Sequence, residues 1–532
     1  MSSPVMSPCK VLPSAPSPLL CHDILATIFD HLMLARDDVD GYSSSRETER
    51  QTCRNALASS ALACSIISHH ALNVLWRELD NVSPLLKVLP NYKRVGSQFT
   101  LCGAILPEHW TRFQLYADRV LVLLGRSEKR EDAIRPSVWL FLAAKCKGSP
   151  LMPRLRELFD HDVSIPDVSI LVLLISPTLR VVDLWFVLKC DEDSEIAPHA
   201  VSSLLHTLPL MAPDLEHLTY DADFNIRRRS VNLGHGHLES FKLHFTRLKT
   251  LSIRCAVPLD KHVLQSLSSM STLQDLSCAI DTRSNSTLTL PRCTFQQLTD
   301  LHIEGHLDHL VTFFHVCQLP SLACITLHIT EPPIARDPKD SFAAISQRWN
   351  PTVLTSISIE IMHSFPSNSS WHPSSLMQHL EPLLAVAAAW PRLARFHVWH
   401  VVTPAPYPQP EPSRPTLSAL IELAQRCPDL EKFHIPELDA RIVPEENTVP
   451  LLGHGLRHIS VKNINPPVSS KIHVQLATVL DRVFPTIDLE SVRSGAEMHM
   501  FDGEGWREVL RFLEIMRLGR ENGRLYAELR RG

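Results

Sequence analysis

Apolar positions along the chain follow two different periods. Between Ser17 and Asp80 the spacing is helical: Ile24, Ile28, Phe29 and Leu32 fall at i, i+4, i+5 and i+8, on one face of a short helix. A polar insert from Ala35 to Cys53, containing RDDVDGYSSSRETERQT, reads as a mobile loop. Two more short helical runs are predicted around Leu57–Cys64 and Ala71–Trp76. Ser83 to Pro90 predicts a further short helix, and Phe113, Tyr116, Val120 and Leu124 predict a longer one between Trp110 and Leu124.

Beyond residue 150 the chain repeats itself. Leu248-Lys-Thr-Leu251-Ser-Ile253 is followed by Leu273-Gln-Asp-Leu276, Leu298-Thr-Asp-Leu301-His-Ile303 and Leu322-Ala-Cys-Ile325-Thr-Leu327, with first anchors 25, 25 and 24 residues apart. Further copies begin at Leu179, Leu215, Leu354, Leu393, Leu430 and Leu456, with a ragged first copy at Leu155. The last three positions of each unit alternate apolar and polar, as a half-buried strand requires. A proline stands two residues before the anchor at Pro153, Pro177, Pro213, Pro320, Pro391 and Pro428. Helical faces separate the strands: Leu307, Leu310, Val311 and Phe314; Leu417, Leu420, Ile421 and Ala424; Leu476, Val479, Leu480 and Val483. From Trp506 a final stripe of Val509, Leu510, Leu513 and Met516 predicts a helix interrupted at Gly519 and Gly523.

The run SPLLCHDILATIFDHLM, the small-residue stretch Ala61-Leu62-Ala63-Cys64-Ser65 and the closing Leu75-Trp76-Arg77 together resemble an F-box, most closely the F-box-like proteins abundant in mushroom-forming fungi. Leu19-Leu20 stands where that family opens with Leu-Pro, and the insert separates the first two helices. The L-x-x-L-x-[LIV] units resemble leucine-rich repeats, with Ala256, Asp281, His306 and Thr330 where that family places Asn or Cys. The two resemblances imply an α/β protein: an N-terminal three-helix F-box-like module followed by an irregular leucine-rich-repeat solenoid, strand plus helix per repeat, with a parallel sheet on the concave face. The expected segments are a disordered tail (1–17), the F-box-like module (18–83, insert at 35–53), a helical bridging region (84–148), the solenoid (149–495) and a C-terminal capping helix (496–532).

Composition removes alternatives. A net charge of −5 offers no global basic field for nucleic acid or anionic lipid. The apolar runs near Val168–Ile175 and Pro382–Trp390 fall well short of the ~20 residues of a membrane span. The N-terminal sequence shows no secretory pattern, and the 13 cysteines follow no disulfide or CxxC spacing, so an intracellular protein, cytoplasmic or nuclear, is expected. No phosphate loop, H-E-x-x-H or G-x-S-x-G occurs. His302, His306 and His309 have helix-like spacing, but Ile303 puts His302 on a strand and Leu307 starts a helix after His306, so a shared metal is not expected. No cofactor and no enzymatic activity are expected.

An adaptor-binding module followed by a solenoid resembles the layout of a substrate receptor in a cullin-RING (SCF-type) ubiquitin ligase. The resemblance implies a Skp-type adaptor, through it a cullin scaffold, and an unidentified protein substrate as partners. Its adaptor-facing candidates are Leu19, Leu20, Ile24, Ile28, Phe29, Leu32, Leu57, Ala61 and Trp76; some of these must pack the helices together, and the pattern does not divide them. Strand alternation places the substrate-facing candidates at Trp185, Arg254, His302, Glu304, His328, Glu360, His397 and Trp399, Trp185 and Trp399 for their hot-spot composition. A leucine-rich-repeat scaffold without a ligase role, whose F-box-like helices only cap it, remains the alternative.

Overall fold

A computed structural model describes residues 21–32, 44–125, 133–164, 168–187, 193–223, 245–258, 261–281, 292–330, 345, 348–361, 390–400, 414–465, 469–489 and 503–530. The chain divides into two compact units, Met1–Leu184 and Trp185–Gly532. Both mix helices with parallel strands. Among the described residues no helix is long and apolar enough to cross a membrane.

The first unit opens with α1 (His22–Asp30), α2 (Ser44–Ala61) and α3 (Ser65–Leu75). These pack around Leu25, Phe29, Leu57, Ala71 and Val74, with Leu32, Ala61, Ile67 and Leu75 partly buried against them. The insert is not all loop: from Ser44 onward it belongs to α2. Then come β1 (Glu78–Leu79), α4 (Ser83–Leu86), β2 (Tyr92–Val95), β3 (Gln98–Leu101), α5 (Pro107–Ala117), β4 (Val122–Leu123), β5 (Ala133–Ile134), α6 (Pro136–Cys146), β6 (Glu157–Ser164), α7 (Val168–Leu174) and β7 (Val181–Val187). Proline fills the first turn of α4, α5 and α6, where its missing N–H costs nothing. The region expected to be helical bridging is therefore mixed. The predicted Trp110–Leu124 helix stops at Ala117, because Val122 and Leu123 continue as a parallel strand between β1 and β6. A small second sheet pairs β2 with β3 antiparallel and β3 with β5 parallel.

The second unit contains α8 (Asp193–Met211), β8 (His217–Asp223), β9 (Thr250–Pro258), α9 (Lys261–Ser269), β10 (Asp275–Asp281), β11 (Cys293–Thr294), β12 (Asp300–Gly305), α10 (Leu307–Val316), β13 (Cys317–Gln318), β14 (Cys324–Ile329), β15 (Ser356–Ile361), β16 (Arg395–His400), α11 (Leu417–Arg426), β17 (Lys432–Asp439), β18 (His458–Asn465), α12 (Ser470–Val483) and α13 (Glu504–Leu529). Its open parallel sheet has the order β8-β9-β10-β12-β14-β15-β16-β17-β18, while β11 and β13 pair apart from it.

The repeat anchors explain this order. Leu248, Leu273, Leu298, Leu322, Leu354, Leu393, Leu430 and Leu456 are each at most 2% exposed. Leu251, Leu276, Leu301, Ile325, Ile357, Phe396, Phe433 and Ile459 stand in register beside one another, a continuous buried row. Each fully buried side chain of this kind contributes roughly 1.5–3 kcal/mol, so the row, rather than any one unit, holds the sheet.

Backbone geometry repeats with the same phase. In each unit the carbonyl of the residue after the anchor leucine accepts two amides from the next strand's entry: Lys249 O takes Gln274 and Asp275, and Gln274 O takes Thr299 and Asp300. Thr299, Ala323, Thr355, Ala394 and Glu431 carbonyls do the same in turn. The strand entry is thus aligned mainly by main chain, with the Thr299 and Thr355 hydroxyls donating to the same Gln274 and Ala323 carbonyls. The six prolines have a shared role as well. Each is the second residue of a β-turn closed by the anchor amide, as in Leu155 N to Met152 O, Leu322 N to Leu319 O and Leu430 N to Cys427 O, where proline's fixed φ is already correct.

One glycine is required by packing. Gly305 ends β12 beside Ile280, and a Cβ there would lie 2.9 Å from the Ile280 carbonyl oxygen. At the C-terminus α13 runs unbroken through Gly519 and Gly523. Trp506, Val509, Leu510 and Leu513 are buried along its first half. Its Arg517 donates to the Asp481 carboxylate and to the carbonyls of Phe484 and Ile487, satisfying the end of α12 and the loop after it.

Candidate functional site

The N-terminal helices carry two apolar stripes on α1, about 100° apart as successive residues must be. Leu25 and Phe29 point into the three-helix core, whereas Ile24 and Ile28 are 42% and 46% exposed. Leu62, after α2, is 89% exposed and Ile66, on α3, 37%. Of the adaptor-facing candidates, Phe29 and Leu57 are among those that pack the helices together, at 6% and 3% exposure. Leu32 and Ala61 lean on the same core. Trp76 packs its ring against Tyr116, centroids 4.5 Å apart. Ile24 and Ile28 stay on the surface; Leu19 and Leu20 lie outside the described residues. Ionic contacts fasten the module to the segment after α3: Arg77 to Asp30 at 2.6 Å, Arg50 to Glu78 and Arg54 to Asp80.

The second unit brings most of the other candidates together. On the polar face of the sheet, strand alternation builds three rows across the strands. The first runs Thr250, Asp275, Asp300, Cys324, Ser356, Arg395, Lys432 and His458. The second runs Ser252, Ser277, His302, Thr326, Ser358, His397, His434 and Ser460. The third contains Glu304, His328, Glu360 and Trp399.

These side chains touch. His302 Nε2 lies 3.2 Å from Thr326 Oγ1, and His328 Nδ1 lies 3.2 Å from Glu360 Oε2. Trp399 stacks on His434 with centroids 5.4 Å apart, His397 meets His434 edge-on at 4.6 Å, and the Lys462 ammonium sits 5.5 Å from the Trp399 ring centre. Desolvation in the rows, first, and the nearby His328, second, hold His302 below the usual histidine range. Desolvation does the same for His397, against an opposing pull from Glu360. Asp275 is pushed up to about 6, first by desolvation and then by the neighbouring Asp300 carboxylate.

Trp185 is 37% exposed on β7, opposite the buried Val182, Leu184 and Phe186. Arg254 lies where the β9–β10 register shifts, and its side chain is outside the described residues. The alternation argument overlooked Asp275, Asp300, Arg395 and Lys432 because it counted only the positions around the third anchor. The residue before the second anchor faces the same way, and the repeated Asp at Asp275 and Asp300 was the available signal.

Beside Lys462 a cavity of about 420 Å³ opens, lined also by His473, Glu504 and Glu508 at the start of α13. His306 and His309 meet edge-on at 5.0 Å, while His302 belongs to the sheet face. Among the described residues no group of three histidine, cysteine, aspartate or glutamate side chains is disposed to hold a metal ion. Burial pushes the Cys278 thiol up to about 12 and that of Cys427 to about 11, so neither is a thiolate near neutral pH. The arrangement presents adjacent charged and aromatic groups suited to gripping a partner.

No protein-family model matches the chain, and a search of curated proteins finds no match.

Proposed function

We propose that the chain is the non-catalytic substrate-recognition subunit of an SCF-type cullin-RING ubiquitin ligase. In this reading the N-terminal helices are F-box-like and bind a Skp-type adaptor, which links them to a cullin, and the repeats form a leucine-rich-repeat solenoid whose polar sheet face holds a protein substrate. The observation that carries the reading is the pair Ile24 and Ile28, 42% and 46% exposed on the helix whose other apolar stripe builds the core. Two exposed isoleucines on one helical face, with Leu62 and Ile66 exposed on the same module, are the composition of a surface that a partner covers. Two binding surfaces on one chain turn a bimolecular encounter into a local one, which is all that a recruiting subunit supplies.

The test is co-expression of the full chain with a Skp-type adaptor and a cullin, followed by affinity purification. Adaptor and cullin should co-purify with the wild-type chain and be lost with Ile24→Asp/Ile28→Asp. Absence of both from the wild-type purification would overturn the reading. That result would favour a leucine-rich-repeat scaffold, the alternative motivated by Leu19-Leu20 in place of the family's opening and by Phe29 and Leu57 being taken up by the core.

A further inference from the structure

Charge on the polar sheet face is segregated along the strand order. From β10 to β15 the row positions hold Asp275, Asp300, Glu304 and Glu360 and no lysine or arginine. On β16 and β17 they hold Arg395 and Lys432 and no acid. Glu360 lies 3.2 Å from His328, and among the described residues the acidic end is the cluster of Asp275, Asp300 and Glu304. Asp275 and Asp300 are Cα partners in register, like charges on adjacent strands. Desolvation, first, and repulsion from Asp300, second, hold Asp275 up to about 6, a cost that a cation placed over the pair would relieve. At the other end Arg395 and Lys432 make the basic end, beside the Trp399–His434 stack, with Lys462 over the Trp399 ring.

We infer that this face docks one protein segment of segregated charge, lying across the strands, with basic side chains over Asp275, Asp300 and Glu304 and acidic side chains over Arg395 and Lys432. The inference rests on the reading of this face as the substrate-docking surface and names the substrate class it selects. Asp300 and Lys432 are four strand steps apart, about 19 Å at ~4.8 Å per step. That distance matches about six residues of extended chain or about thirteen of helix. A uniformly acidic segment meets repulsion at β10 and β12, and a uniformly basic one at β16 and β17. Complementarity at both ends therefore fixes the composition of the segment and the order of its two blocks.

The test uses the full chain and two fluorescein-labelled synthetic peptides of identical composition and zero net charge. One carries a lysine block and a glutamate block flanking a central leucine; in the other the lysines and glutamates alternate. Titrations by fluorescence anisotropy in low salt should give an affinity for the block peptide about tenfold above that for the alternating one. Asp275→Lys/Asp300→Lys and Arg395→Glu/Lys432→Glu should each remove that preference, while the four substitutions combined restore it, because the peptide can bind in the opposite direction. Asp275→Asn/Asp300→Asn provides a gentler version whose circular dichroism should match wild type and whose melting temperature should be no lower. Equal affinity for both peptides, or a block preference untouched by the folded Asn variant, would overturn the inference. Adaptor capture is scored on the same preparation. Block preference without adaptor capture removes only the ligase reading, and capture without block preference removes only this inference.

Discussion

His22 Nδ1 lies 2.8 Å from His70 Nε2, a single hydrogen bond that joins α1 to α3. One ring must donate and the other accept, so the bond survives with at most one of the two imidazoles charged. His70 is 7% exposed, and its pKa lies below the ordinary 6.5, first through desolvation and then through His22 and His69.

That shift has a sign. The unfolded chain takes up the proton before the folded one does, so stability contributed by neutral His70 is present above about pH 6.5 and is lost as pH falls below it. Amide hydrogen exchange in α1 and α3 should therefore accelerate between pH 7.5 and pH 5.5, after correction for intrinsic rates, and a His70→Leu variant should flatten that dependence. Unchanged protection in both helices would show that the pair carries no such stability.

The two stripes of α1 should separate stability from association. Phe29→Ala or Leu57→Ala removes a core side chain from the module and should cost about 2–5 kcal/mol, exposing α1–α3 to limited proteolysis. Ile24→Asp, on an already exposed position, should change protease resistance of the unbound chain little and affect only what the chain binds. Equal proteolytic sensitivity of Ile24→Asp and Phe29→Ala would contradict this division.

Asp275 has its folded pKa raised from 3.8 to about 6, so the folded chain holds its proton more tightly and this group's contribution favours folding more at pH 5 than at pH 7.5. Asp275→Asn should raise stability at pH 7.5 by about 1 kcal/mol, a figure reduced for solvent screening, and should narrow the difference between the two pH values. Thermal melts at both values measure it, and a destabilised Asn variant at pH 7.5 would contradict it.

Gly305→Ala places a methyl group against the Ile280 carbonyl and side chain, with backbone on one side that cannot turn away. The expected cost is about 1–3 kcal/mol, with hydrogen-exchange protection lost first in β10 and β12. Ala at Gly519, where nothing lies within 4 Å of the added carbon, should instead stabilise α13 by roughly 0.5–1 kcal/mol.

The strands of the second unit were legible because each repeat states the same instruction. Anchor leucines at 25, 25 and 24 residues fix the phase, and the turn prolines confirm where each strand begins. The α11 and α12 faces read from spacing, such as Leu417, Leu420, Ile421 and Ala424, are all buried. Where the reading failed, the local pattern admitted two solutions. Ile24, Leu25, Ile28, Phe29 and Leu32 form an apolar arc too wide for one contact, and only the positions of α2 and α3 select Leu25 and Phe29 for the core. Val120 to Leu124 continues a helical spacing, yet Val122 and Leu123 become strand because β1 and β6 flank them.

The sequence by itself determined the strands of the parallel sheet, the buried leucine row and the side of each strand that meets water, since these follow from periods of two and about 25 residues written into the chain. Tertiary structure alone decided which residues of distant repeats become neighbours: Asp275 beside Asp300, His397 against His434, Trp399 stacked on His434 with Lys462 above it. The physical reason is register. Charge segregation across a sheet is a property of neighbouring strands, and loops of unequal length between repeats hide it from any reading along the chain.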